Sequence, residues 1–232
     1  MADLTQVTCF TDLKDSTALN QQLGNREYAL FIDDHLFVGK ALAKLSGGKH
    51  IKNIGDAHMV TFESAQDSLY FALRMQEYYA DKPCLSRIPI GLKVGLYLGV
   101  VDPIEADAFG LGVNQAARTE GKAEAGQVII NKQLFETIID IWGEERAKKY
   151  FITIGEHELK GITRPPRQEL FSFDWQLYGH DNPLDGQSKL VFEHLYQGQV
   201  EASNLYPRDL SRPGIVIWPV VRRDIVNVIH IG

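Results

Sequence analysis

The spacing of hydrophobic residues along the chain changes several times, and each change marks an element. Val7-Thr8-Cys9-Phe10-Thr11 is a compact apolar run of strand type, too short for a helix. From about Thr17 to Leu45, Tyr28, Phe31, Ile32, Leu36 and Leu42 recur at helical spacing, with Asp15, Ser16 and Thr17 as candidate N-caps. Gly24-Asn25 divides that stretch in two, and Ser46-Gly47-Gly48 closes it. Residues 50–53 and 57–62 then read as two extended runs joined by Ile54-Gly55-Asp56, where the glycine permits a tight reversal and leaves Asp56 at the tip. Ser64, with Asp67 three residues on, forms a capping box for a helix reaching about Tyr79, with Leu69, Ala72 and Leu73 facing inward. Between residues 88 and 101 the pattern alternates, placing Ile90, Leu92, Val94, Leu96, Leu98 and Val100 on one face, as a strand requires.

That order of elements, βαββαβ, is the ferredoxin-like pattern. It predicts an α+β fold whose first strand lies between its partners in an antiparallel sheet, with the helices on one face. After it come a loop over 102–112 containing Asp107, and a helix from about Val113 that sets Asn114 and Arg118 four apart on one face. A strand over 127–130, a helix over 132–141 and extended pieces at 151–154 and 167–173 complete a first domain, residues 1–173. Residues 174–212 are polar and turn-rich, and 214–218 and 224–231 read as strands, so 174–232 forms a C-terminal β-containing extension.

At 232 residues the chain can bury one full core with an appendage, and 44% hydrophobic with 23% charged residues is the balance of a soluble globular protein. The net charge of −6 offers no general attraction to nucleic acid or to an anionic membrane, so neither is expected as a partner. No charged-then-apolar leader opens the chain and no apolar run reaches the roughly 18–20 residues a membrane span needs, which points to the cytoplasm. Cys9 and Cys84 lack metal-ligand spacing and read as buried thiols. His50, His58 and His157 read as surface or packed residues rather than ligands.

Two carboxylates carry the first chemical expectation. Asp12 ends the opening strand and Asp56 tips the hairpin, so if these strands share a sheet the two emerge on the same edge. Close carboxylates repel and call for a cation, and hard oxygen ligands suit Mg²⁺ or Mn²⁺ holding a polyphosphate.

The runs FTDLKDST (10–17), KNIGDAHMVTF (52–62), KVGLYLG (93–99), FGLGVNQAAR (109–118) and ELKG (158–161) together resemble the class III nucleotide cyclase catalytic domain, in the same order and at similar separations. The resemblance covers about residues 6–173. It implies a palm-type core in which Asp12 and Asp56 hold two divalent ions, Mg²⁺ or Mn²⁺, on a nucleoside triphosphate. It also implies that Arg118 meets the charge building on the α-phosphoryl group, Asn114 fixes the ribose, Lys52 and Asp107 read the base, and Lys160 reaches the polyphosphate. In this family the metal aspartates and the base-reading, Asn and Arg residues of one site come from two domains. The resemblance therefore implies a head-to-tail homodimer with two shared sites. The sequence departs from the family in Lys14-Asp15-Ser16-Thr17, where a hydrophobic turn is usual, and in Lys93, where arginine is frequent.

A lysine plus an aspartate reads the acceptor and amino pair of adenine, and cytosine presents the same pair; uracil can also be held, through O4 and its N3 proton. The organisation, a catalytic domain from about residue 6 with only a C-terminal addition, is similar to the standalone pyrimidine cyclases of bacterial antiphage (Pycsar) systems. That resemblance implies cUMP or cCMP made from UTP or CTP for a separate cyclic-nucleotide effector protein; the alternative is an adenylate cyclase making cAMP. Plainer readings stand beside each residue: Asp56 as a turn residue, Asn114 and Arg118 as a solvated face or an ion pair with Glu120 or Asp107, Lys52 as an exposed hairpin lysine, Asp107 as a loop aspartate. A non-catalytic, cyclase-like binding domain predicts loss of a metal aspartate or of the Asn and Arg pair, and all are present.

Overall fold

The computed structural model describes residues 4–80, 90–104, 107–163 and 165–182. The strands expected at 214–218 and 224–231, and Cys84, lie outside the described residues. Strands β1 (Leu4–Leu13), β2 (Lys49–Ile54), β3 (Ala57–Phe62), β4 (Leu92–Ile104), β5 (Asp107–Phe109), β6 (Val128–Asn131), β7 (Phe151–His157) and β8 (Gln168–Phe173) alternate with seven helices. These are α1 (Ser16–Leu23), α2 (Asn25–Leu45), α3 (Ala65–Ala80), α4 (Leu111–Glu120), α5 (Lys132–Trp142), α6 (Glu144–Tyr150) and α7 (Trp175–Asp181). The strand order is β2-β3-β1-β4-β6-β8-β7, with β5 paired to β4. As the βαββαβ order requires, β1 lies between β3 and β4, antiparallel to both, and β6 joins β4 in parallel.

The pleat of β1 divides the interior. Val7, Cys9 and Leu13 face the large core built with α1, α2, α3 and α5, while Phe10 faces a second cluster with Met59, Tyr97, Val101, Ala108 and Ala116. Helix α4 therefore lies on the face opposite the other helices of the ferredoxin-like unit. It can approach because the strand beneath it is bare: a Cβ on Gly95 would collide with the backbone N of Glu120, and one on Gly112 with the carbonyl of Val100. Asn131 locks β6 to β4, its Oδ1 accepting from Leu98 N at 3.0 Å and its Nδ2 donating to Leu98 O at 3.1 Å, and also caps α5. On the other layer, adjacent residues of α2 engage adjacent tyrosines of α3: Tyr78 donates to Asp34 at 2.8 Å, and the Tyr79 hydroxyl meets His35.

Several elements differ from the sequence reading. The break at Gly24 is present, and Asp67 N bonds Ser64 Oγ at 3.2 Å as the capping box requires, but Asp15 begins α1 in a left-handed conformation without capping it through its side chain. Residues 102–112 are not a plain loop: β4 runs on to Ile104 and turns back as β5, because Ala108 and Val101 are buried under α4. Val100, expected in the core, is 47% exposed where β4 outruns the helical layer. Helices α6 and α7 were not legible. In α7, Asp174 accepts from Leu177 N at 2.9 Å, Tyr178 stacks on Trp142 at 5.1 Å and Trp175 bonds Gly126 O at 2.8 Å, so the chain continues to pack on the core past residue 173.

Replacing Gly95 by alanine should unseat the end of α4. Overpacking of this kind costs about 1–3 kcal/mol, so thermal melting is expected to show a fall of roughly 2–4 °C per kcal/mol for a chain of this size.

Candidate active site

The register of the first hairpin brings the two aspartates together. Thr11 pairs with His58, so one residue on, Asp12 stands level with Ala57, beside the Gly55-Asp56 turn, and its charge is felt at the Asp56 carboxyl. Gly55, at φ 63°, supplies the reversal. Burial, and then the charge of Asp12, push the Asp56 carboxyl above its ordinary range against hydrogen bonds from its own N–H, Ser16 and Leu13.

Beside them lies a lysine to which the sequence reading gave no role. Lys93 sits directly across from Asp12 on β4, and its Nζ lies 2.8 Å from Asp12 and 2.6 Å from Glu120 at the end of α4. Burial pulls the Lys93 ammonium down, but these two carboxylates outweigh it and hold it above its usual value. Glu120 is pushed up by burial, and Lys93 counters only part of that. Glu120 is thus the partner of Lys93 and, among the described residues, makes no ion pair with Arg118. The signal available in the sequence was parity: Lys93 and the inward Leu92 and Val94 alternate on a strand expected next to that of Asp12.

The base-reading candidates also meet. Lys52 Nζ lies 2.7 Å from Asp107 Oδ2, and the ring of Phe109 lies 5.4 Å from the ammonium. Lys52, with the N–H of Ala108, holds the Asp107 carboxyl below its usual range. Lys52 is still a partly exposed hairpin lysine, its side chain 39% accessible, whereas Asp107 begins strand β5 rather than sitting in a loop. Asn114 and Arg118 share the exposed face of α4, whose Gly112, Gln115, Ala116 and Thr119 are buried. Among the described residues the Arg118 guanidinium makes no hydrogen bond or ion pair. Lys160 is exposed next to Leu159, which anchors the turn against Ala123, Ile129 and Leu170, and it joins none of the other candidates. His58 is fully buried and His157 donates to its own turn at Ile154 O, 3.0 Å away, so both are packed residues. Cys9 is a buried free thiol, raised well above its ordinary range by burial and by Glu120.

The donor set fits a divalent cation. Asp56 Oδ2 is buried and accepts no hydrogen bond among the described residues, Asp12 adds a second hard oxygen ligand, and a dication would offset the repulsion between them. No group of three or more His, Cys, Asp or Glu side chains suited to a metal occurs among the described residues.

The adenylate and guanylate cyclase catalytic domain model matches residues 2–173. The chain belongs to that family. It therefore carries a nucleotide cyclase catalytic domain on the palm-type α+β fold. It is similar to putative adenylate cyclase 3 of Rhizobium meliloti (strain 1021), 33% identical over 126 residues that cover 53% of this chain and 21% of the relative. A Mycobacterium tuberculosis (strain H37Rv) protein is 29% identical over 180 residues, 76% of this chain and 42% of its own length. The chain thus spans less than half the length of these relatives. Among solved structures, the adenylyl cyclase CyaB from P. aeruginosa matches with TM-score 0.61 at 18% identity, covering 75% of this chain and 96% of that one. No described helix is long and apolar enough to cross a membrane.

Asp56 titrates above its ordinary value in the fold, so its effect on stability is fully present below the unfolded carboxylate range and is lost as pH rises through the folded-state value. Around neutral pH in EDTA, Asp56→Asn should therefore melt slightly higher than the parent, by up to about 1 kcal/mol or a few degrees. Added Mn²⁺ should raise the melting temperature of the parent and leave that of the variant unmoved.

Proposed function

We propose that this cyclase domain converts a nucleoside triphosphate into a 3′,5′-cyclic nucleotide and pyrophosphate at sites shared by two copies docked head to tail. The reading is carried by the half-buried carboxylate pair at Asp12 and Asp56, with an unpartnered oxygen on Asp56. Divalent ions held there would lower the pKa of the ribose 3′-hydroxyl and neutralise the β,γ-phosphates. Arg118 and Asn114 project from the exposed face of α4, which suits them to complete a neighbour's site. Arg118 meets negative charge on the α-phosphoryl group and Asn114 orients the ribose for in-line attack. Phosphoryl transfer asks for positioning and charge neutralisation and needs no protein nucleophile. Lys160 contributes to the polyphosphate grip.

Lys52 and Asp107 read the base. Adenine and cytosine both set a ring-nitrogen acceptor beside an amino donor, so the pair suits ATP or CTP in one sense, and UTP in the reverse sense through O4 and the N3 proton. The adenylate cyclase name borne by a relative adds weight to ATP, and CTP is the pyrimidine that this pair accepts in the same sense. A pyrimidine product would bring with it the antiviral second-messenger role and the separate effector protein that the resemblance to pyrimidine cyclases implies.

Incubating the purified chain with each of the four NTPs and Mn²⁺, then separating the products, is expected to give a cyclic nucleotide from ATP or from a pyrimidine triphosphate. Asp12→Ala and Asp56→Ala should abolish turnover with the fold intact by circular dichroism, and Arg118→Ala should lower kcat by about 10²–10³-fold. Mixing the Asp12→Ala/Asp56→Ala double variant with Arg118→Ala should restore about a quarter of parental activity, since half of randomly formed dimers carry one intact site of two. No recovery despite mixed dimers would refute the shared site.

A further inference from the structure

His35 lies fully buried on α2, and no role described above uses it. Its Nε2 is 2.7 Å from the backbone carbonyl oxygen of Asp56. A carbonyl can only accept, so Nε2 carries the proton and donates. Nδ1 meets the hydroxyl of Tyr79 from α3 in close contact. Phe31 stacks on the ring at 6.4 Å and 18°, and His58 lies against it at 4.6 Å. The imidazole is thus fixed on several sides, with one hydrogen bond pointing at the metal turn.

That turn lies at the rim of the sheet, where the Asp56 carboxyl also accepts from its own N–H, Ser16 and Leu13. It belongs to a hairpin whose strand β2 is the edge of the sheet, and Gly55 has nothing within 4 Å of where a Cβ would stand. Asp56 Oδ2 has no partner of its own among the described residues, so where this oxygen sits follows from the backbone that carries it together with the hydrogen bonds that Ser16 and Leu13 make to the carboxyl. We propose that His35 is a positioning residue for Asp56, tying the metal-binding turn to α2 and α3 so that the carboxylate is presented to the cation. This rests on the reading of Asp56 as a cation ligand. Hydrogen bonds one layer out from a ligand typically set metal affinity by about 10–100-fold.

Two amide variants of equal polarity separate reach from polarity. The amide placed by His35→Gln extends to the Nε2 position, whereas that of His35→Asn reaches only as far as Nδ1. Binding of Mn²⁺ alone, followed by electron paramagnetic resonance, should be weakened about tenfold or more in His35→Asn and stay within about twofold of the parent in His35→Gln. Hydrogen exchange of the Gly55–Ala57 amides should accelerate in the asparagine variant only. Equal Mn²⁺ affinity in the two variants would overturn the proposal. Asp56→Ala is the control: if it binds Mn²⁺ like the parent, the ligand assignment fails first, whereas loss there with no change in His35→Asn refutes the positioning role alone. If His35→Asn does not fold, Tyr79→Phe, which removes only the hydroxyl steadying the ring, must weaken Mn²⁺ binding at least about threefold for the proposal to stand.

Discussion

Everything at the site depends on the pleat of one strand. With β1 paired on both sides and covered on both faces, its side chains have no freedom of register: a slip by one residue would turn Val7, Cys9 and Leu13 out of the large core. The same constraint sends Phe10 and Asp12 to the α4 side. Asp12 is thereby set opposite Lys93 by hydrophobic burial several residues away.

The site is accordingly a place where charges are assembled at a cost. Asp12 and Glu120 meet around one lysine, Asp56 senses the charge of Asp12, and burial lifts both Asp56 and Glu120 above ordinary carboxylate values. Lys93 offsets part of that burden by bridging Asp12 and Glu120, and a divalent cation would offset more. Because Glu120 closes the helix that displays Asn114 and Arg118, the same lysine ties Asp12 on β1 to that helix. The local conflict marks function: a chain selected only for stability would place an apolar residue where Asp56 leaves an oxygen unpartnered.

The polar contacts behind the hairpin complete this picture. Asp34 and His35 on α2 meet Tyr78 and Tyr79 on α3, so the two helices are joined by directional bonds as well as apolar packing. One bond of that set reaches the backbone of Asp56, which links the helical layer to the sheet edge.

The sequence by itself determined the βαββαβ core, the break at Gly24 and the hairpin that tips Asp56, because periodicity, glycine and capping act over a few residues. It also placed Asn114 and Arg118 on one helix face, since spacing by four needs no tertiary knowledge. Tertiary structure alone decided that α4 crosses to the other side of the sheet, which follows from bare glycine backbone meeting backbone. It also decided that Lys93 rather than Arg118 takes Glu120, and that Lys52 finds Asp107 from 55 positions away in the chain. The helix at 175–181 escaped because its seven residues carry too short a pattern, and it is held by Tyr178 and Trp175 packing on distant partners. His35 escaped for the same reason: a lone histidine among apolar residues looks like filling until the fold brings a carbonyl and a hydroxyl to its two nitrogens.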